Sequence, residues 1–179
     1  MLSRNLSKKS ISVKIGQILF SDSSGLPLRA TLGSCIGLTI YDPVTTFGGL
    51  AHIFLPNRDQ VDNSRDQVDN KILEKSPGKY ADHAVHYMVE KFSKKKIPFR
   101  RLQAKIAGGA SLFPLLTSVN SVFLVGMQNV SVTEECLNKA GIRITGQDVG
   151  KDRGRVILFN LSNGAVIIKE SSGGNTRII

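Results

Sequence analysis

The alternation of apolar and polar residues predicts most of the strands of this 179-residue chain. Alternation with a period of two puts successive side chains on opposite faces of a strand, and short apolar runs bounded by turn residues are typical of buried strands. The segments with one or the other pattern are 11–16, 35–41, 49–55, 102–106, 121–126, 142–145, 156–159 and 165–168. We also expect residues 17–20 to continue the first strand.

Two other segments have the three-and-four spacing of amphipathic helices. In the first, residues 80–96, the apolar stripe consists of Ala81, Ala84, Val85, Met88, Val89 and Phe92. The second covers residues 130–140, with Asn129 as its predicted N-cap and Gly141 as its predicted C-cap. A short helix is expected at 111–116.

This order of elements predicts a single α/β domain over residues 1–179. We expect a layered sandwich of mixed, largely antiparallel strands with helices packed on the sheet. Residues 1–10 are expected to be flexible and residues 57–78 to form an inserted loop. Within that loop the hexapeptide RDQVDN occurs at 58–63 and again at 65–70. We interpret it as a tandem duplication, because it lacks the glycine and glutamate of an EF-hand calcium loop.

One predicted hairpin carries a cysteine and a histidine. If it turns at Pro43-Val44, opposed residues have numbers that sum to about 87, and Cys35 lies opposite His52. Directly opposed side chains are close enough for a thiol to contact an imidazole. In that register Gly37 and Gly48 share the face of Cys35 and His52 and leave room for a substrate. A longer turn, or a bulge at 48–49, would shift the register.

This pair has the chemistry of a nucleophile and its base. The thiolate is the nucleophilic form of cysteine, and a neighbouring imidazole raises its population. Gly33 and Ser34 precede Cys35 in a turn whose backbone N–H groups can face a cleft, so we expect them near an oxyanion. The residues by themselves leave a second interpretation open, in which Cys35 is a buried structural cysteine and His52 a satisfied strand histidine.

Charge and composition indicate which classes of partner and which cellular location to expect. With 24 Lys and Arg against 14 Asp and Glu, the chain has a net charge of +10, which favours acidic partners. Basic and aromatic residues are not interleaved as in nucleic-acid binders, so no nucleic acid is expected. No apolar run approaches the roughly 20 residues of a membrane span, and the N-terminus lacks the apolar core of a secretory signal. Two widely separated cysteines fit a reducing cytoplasm.

The amino-acid sequences of several segments resemble those of a known protein family. LGSCIGLTIYDP at 32–43 and GGLAHIFLP at 48–56 are similar to the signature of the chemoreceptor glutamine deamidases, the CheD family. Further blocks at 80–82, 105–110 and 146–155 agree with the same family in the same order.

The resemblance implies an enzyme of bacterial chemotaxis adaptation. It would hydrolyse glutamine side chains on the cytoplasmic helices of chemoreceptors to glutamate and ammonia, without a cofactor or metal. It implies Cys35 as nucleophile, His52 as acid and base, and Thr31 as the nearest candidate for the family's third site residue. The resemblance also implies a CheC-type phosphatase as a second partner, because some members of the family bind one. The positive charge would steer the chain toward Glu-rich receptor helices.

Two alternatives to this activity stay open at this point. One is a non-catalytic module that regulates a CheC-type phosphatase, and the other is a different Cys-His amide hydrolase or a transglutaminase-like enzyme.

Overall fold

A computed structural model describes residues 9–57, 73–111, 122–171, 173 and 176–179 of the chain. The RDQVDN repeat lies outside the described residues. So does the predicted short helix at 111–116, except for its first residue.

The described strands form two five-stranded sheets. Sheet 1 contains, in spatial order, β1 (Ile11–Ser12), β3 (Leu28–Leu32), β8 (Arg155–Asn160), β9 (Ala165–Glu170) and β10 (Thr176–Ile178). Sheet 2 contains β2 (Ile18–Ser21), β5 (Phe47–Ile53), β4 (Ile36–Asp42), β6 (Gln103–Gly108) and β7 (Arg143–Val149). Neighbouring strands are antiparallel except for β1 with β3 and β6 with β7.

Two hydrophobic cores define the layers. Helices α1 (Ala81–Lys94) and α2 (Val122–Lys139) cover one face of sheet 2, where the predicted stripe of α1 is buried against Ile36, Leu38 and Ile40 of β4. The other core lies between the two sheets and joins Leu32 to Leu50, among others. The order is therefore sheet, sheet, helices, which confirms the predicted α/β class with mixed, largely antiparallel strands.

Two predictions about the second helix are wrong. Residues 122–126, predicted as part of a strand, form the first turns of α2, so Asn129 lies inside the helix and is not its N-cap. A short apolar run does not distinguish a buried strand from a buried helix segment, and here it continues an amphipathic helix. The predicted C-cap is confirmed, because Gly141 follows α2 with a φ of 69°.

The first strand is shorter than predicted. Gly16 has a φ of 79°, which ends extended structure, and the N–H of Gln17 donates to the carbonyl of Lys14 in a turn. Residues 18–21 therefore form a separate strand, β2, in the other sheet.

The β4–β5 hairpin has a longer turn than Pro43-Val44. Ile36 pairs with Ile53 and Asp42 pairs with Phe47, so the turn comprises the four residues 43–46. The Asp42 carboxylate accepts hydrogen bonds from the N–H groups of Val44 and Thr45 and from the Thr45 hydroxyl, at 3.4, 3.2 and 2.7 Å. These bonds stabilise the wider turn, and the predicted direct opposition of Cys35 and His52 is wrong. His52 lies opposite Gly37.

Candidate active site

Cys35 lies at the end of the central hairpin, one residue before β4 begins. Its side chain belongs to the core between the sheets and is 7% exposed. Its carbonyl accepts a hydrogen bond of 2.9 Å from the N–H of Gly109, just beyond β6. Cys35 is thus held on the β6 side by the main chain.

His52 is the penultimate residue of β5 and is 4% exposed. On the outer side of β5, its N–H donates to the carbonyl of Gln17 and its carbonyl accepts from the N–H of Gly16. Its ring Nδ1 lies 3.0 Å from the carbonyl oxygen of Val13. Since a carbonyl only accepts, Nδ1 carries the proton and Nε2 carries the lone pair.

The register brings Cys35 and His52 together as diagonal neighbours. His52 is opposed to Gly37, and Cys35 lies two residues before Gly37. The side chain of Cys35 and the space beside Gly37 both face the core between the sheets. Diagonal neighbours have Cβ atoms about 7–8 Å apart, within reach of a ring and a thiol. Nε2 of His52 is buried and has no hydrogen-bond partner among the described residues.

The two glycines on this face do not leave room for a substrate. A Cβ added to Gly37 would lie 2.4 Å from Cδ1 of Ile157, and one added to Gly48 would lie 2.9 Å from Cζ of Phe159. Side chains of sheet 1 fill both spaces. The glycines let the two sheets approach each other, and the predicted opening beside them is wrong.

Burial changes the pKa values of both groups in the direction of the neutral form. Desolvation raises the pKa of the Cys35 thiol. The residue's own backbone N–H favours the thiolate and reduces this rise in pKa. Desolvation lowers the pKa of His52, opposed by its bond to the Val13 carbonyl. A neutral thiol therefore lies near a neutral imidazole, an arrangement suited to general-base activation.

A glycine turn, residues 108–110, begins at the last residue of β6 and packs against the main chain around Cys35. The N–H of Ala110 donates to the carbonyl of Gly33 at 2.8 Å, next to the bond between Gly109 and Cys35. Gly108 has a φ of 110°, and a Cβ there would lie 2.1 Å from the Cys35 carbonyl oxygen. This approach requires glycine at position 108.

An ionic cluster of Arg155, Asp148 and Arg177 binds the main chain of this turn. Arg155, 1% exposed, donates to the carbonyls of Gly108 and Gly150, at 3.2 and 2.7 Å. Its acidic partner is Asp148, whose carboxylate lies 3.4 Å from Nε of Arg155 and also contacts Arg177. The sequence did not indicate a role for these residues, although Asp148 and Arg155 lie in the 146–155 block.

A buried asparagine approaches the same place from the helix layer. The side-chain nitrogen of Asn129 donates to the carbonyls of Ser34 and Phe54, at 3.1 and 3.0 Å. Its assignment as an N-cap hid this role.

Comparison with known proteins connects this arrangement to a family. The family described as "CheD chemotactic sensory transduction" matches residues 55–170. A "Probable chemoreceptor glutamine deamidase CheD" of Archaeoglobus fulgidus is 37% identical over 165 residues, 92% of this chain and 95% of that protein. The "Chemoreceptor glutamine deamidase CheD" of Thermotoga maritima is 33% identical over 162 residues, 90% of this chain and 92% of that protein.

The chain belongs to the CheD family. The resemblance seen in its motifs is thereby confirmed. The family match begins after both Cys35 and His52, whereas the two relatives align over nearly the whole chain.

Of the other predicted site residues of this CheD chain, two lie beside Cys35 and one does not. Gly33 and Ser34 lead directly into Cys35, and their carbonyls are bonded to Ala110 and Asn129. Thr31 is exposed on β3, between two residues buried in the core between the sheets. Its side chain therefore lies on the outer face of sheet 1, and the structure does not bring it to Cys35 and His52.

Two further findings concern metals and membranes. Among the described residues, no three His, Cys, Asp or Glu side chains are grouped so that they could hold a metal ion. Of the helices in the described part of the chain, none is long and apolar enough to span a bilayer.

Proposed function

We propose that this chain hydrolyses glutamine side chains of chemoreceptors to glutamate and ammonia, with Cys35 as nucleophile and His52 as its acid and base. The observation that supports this most is the state of His52. Its Nδ1 proton is committed to Val13, so Nε2 is left with a lone pair on the face that it shares with Cys35. The names of the relatives support the substrate.

The first half of the reaction forms a thioester and releases ammonia. Nε2 of His52 takes the thiol proton as Sγ of Cys35 attacks the carboxamide carbon. His52 then gives this proton to the nitrogen as the C–N bond breaks. The backbone N–H of Cys35, which favours the thiolate, is a candidate donor to the developing oxyanion, together with the N–H groups of Gly33 and Ser34.

The second half consumes water. Nε2 of His52 takes a proton from the water that attacks the thioester carbon, and the proton passes to Sγ of Cys35 as the C–S bond breaks. The sum is glutamine plus water to glutamate plus ammonia, and the enzyme returns to its starting protonation state. No step uses a cofactor or a metal.

The proposed partner is the cytoplasmic helical region of a chemoreceptor, which implies a cytoplasmic enzyme. We also propose a CheC-type phosphatase as a second partner. This proposal rests on family membership alone, since no contact in the described residues bears on it. The proposal assigns no catalytic role to Thr31, because its side chain is exposed on the outer face of sheet 1.

The test is ammonia release from a purified receptor by the wild type and by variants. C35A and H52A are expected to lose release, because one removes the nucleophile and the other the base. C136A and T31A are matched controls, since Cys136 is a half-buried residue of α2 and Thr31 is exposed. Both should keep activity within about twofold of the wild type, as expected for residues outside the reacting group.

The result also separates the alternatives. Tight receptor binding with no ammonia release by the wild type would favour a non-catalytic module. Release that depends on an added amine, with the amine joined to the receptor, would favour a transglutaminase-like enzyme.

A further inference from the structure

One carboxamide joins the two chain segments that carry Cys35 and His52. Asn129 is fully buried in α2, and both hydrogen bonds of its nitrogen, to Ser34 and Phe54, end on main-chain carbonyls. A carboxamide nitrogen has two hydrogens, so these bonds use its whole donor capacity. They also define the orientation of the amide, because its oxygen could not bond to a carbonyl.

The two carbonyls lie where the hairpin ladder stops. The last β4–β5 pair is Ile36 with Ile53, and Ser34 and Phe54 lie beyond it. Ser34 is adjacent to Cys35, and Phe54 is two residues after His52. Asn129 therefore ties together the two strand ends at the point where backbone pairing no longer does so.

The position of Asn129 is set by close packing between α2 and the glycine turn. A Cβ added to Gly126 would lie 2.8 Å from the carbonyl oxygen of Gly109, and one added to Gly109 would lie 2.7 Å from Cγ2 of Val130. Gly109 in turn donates to the carbonyl of Cys35. The helix, the turn and the nucleophile thus form one packed unit, and Asn129 has little freedom to move.

We propose that Asn129 is a positioning residue for deamidation. It fixes the relative positions of the two segments that carry Cys35 and His52, and it does not itself touch the substrate. This inference rests on the proposed function of the Cys35–His52 pair. A purely structural asparagine would satisfy two carbonyls and stabilise the fold, but the turnover of the folded enzyme would not depend on it.

The test compares N129A with N138A. Asn138 is exposed on the same helix and serves as the matched control. Ammonia release from the receptor is measured on protein shown to be folded by circular dichroism. We expect N129A to lower kcat roughly 10- to 100-fold, the effect of misplacing reacting groups by about an ångström, with KM changed less than about twofold. N138A should change neither constant.

A folded N129A with the kcat of N138A would overturn the inference, and so would a rise in KM with kcat unchanged. If N129A does not fold, G126A decides the question, because alanine favours the helix while its Cβ pushes α2 away from Gly109. A lowered kcat in folded G126A would support the inference, and an unchanged kcat would overturn it. No ammonia release by the wild type would overturn the proposed function as well, so the two failures are distinguishable.

Discussion

At the level of single residues, burial favours the neutral forms of Cys35 and His52, the proposed reacting pair. Desolvation raises the pKa of Cys35 above its ordinary 9.0 and lowers the pKa of His52 below its ordinary 6.5. Both shifts favour a neutral thiol and a neutral imidazole over a thiolate–imidazolium pair. Cys35 is therefore expected to become nucleophilic when substrate is bound and His52 can take its proton.

The pH dependence of kcat/KM and of alkylation should show this resting state. Protonation of His52 removes the base, so kcat/KM should fall with acid only at a midpoint below 6.5. Alkylation of Cys35 by iodoacetamide in a C136S background should rise with a midpoint above 9.0. Fast alkylation already below pH 6.5 would instead indicate a preformed ion pair.

At the level of elements, the glycine turn 108–110 packs closely against the main chain of Cys35, the proposed nucleophile. Gly108 combines a positive φ with an approach to the Cys35 carbonyl that admits no side chain. Gly141, after α2, also has a positive φ, but a Cβ there would meet nothing within 4 Å. The two positions therefore separate backbone strain from steric contact.

G108A should cost more stability than G141A. G141A should lower the free energy of unfolding by roughly 1–2 kcal/mol, the cost of a left-handed non-glycine residue. G108A adds over-packing and should cost roughly 2–6 kcal/mol. Urea denaturation measures both values, and equal losses would show that the turn does not press on Cys35.

Several elements could be predicted because their signal is local. The stripe of α1, the strands β6, β8 and β9, and the glycine after α2 all follow from spacing and turn chemistry. The hairpin register could not be predicted, because it depends on hydrogen bonds from the turn to Asp42. The first turns of α2 have an apolar run that suits a strand equally well.

The candidate site likewise has residues that the sequence indicated and residues that only the structure shows. The pair Cys35 and His52 could be named from a hairpin pattern and a family motif. The supports of the pair, Asn129 and Arg155, act through side-chain bonds to the main chain of distant segments. Such bonds have no period and no spacing, so only the folded chain indicates them.

At the level of the whole molecule, the net charge of +10 is expected to affect how fast the chain associates with a receptor. A cationic protein is steered toward a surface rich in carboxylates, and added salt screens this attraction. We expect the charge to affect association with the receptor and not the proposed chemistry at Cys35. The two effects can be separated in the kinetic constants.

Raising the ionic strength should lower kcat/KM for an intact receptor and leave kcat unchanged. A short uncharged glutamine peptide is the matched control, and its deamidation should not respond to salt. A receptor rate that stays constant as salt rises through the screening range would show that the net charge has no part in association.

The most direct test of the central claim is peptide mass mapping of a receptor incubated with the enzyme in water enriched in oxygen-18. Hydrolysis through a Cys35 thioester predicts that particular glutamines become glutamates that each contain one heavy oxygen, and that C35A leaves every glutamine unchanged. Unchanged glutamines with the wild type, or the same heavy glutamates with C35A, would contradict the account.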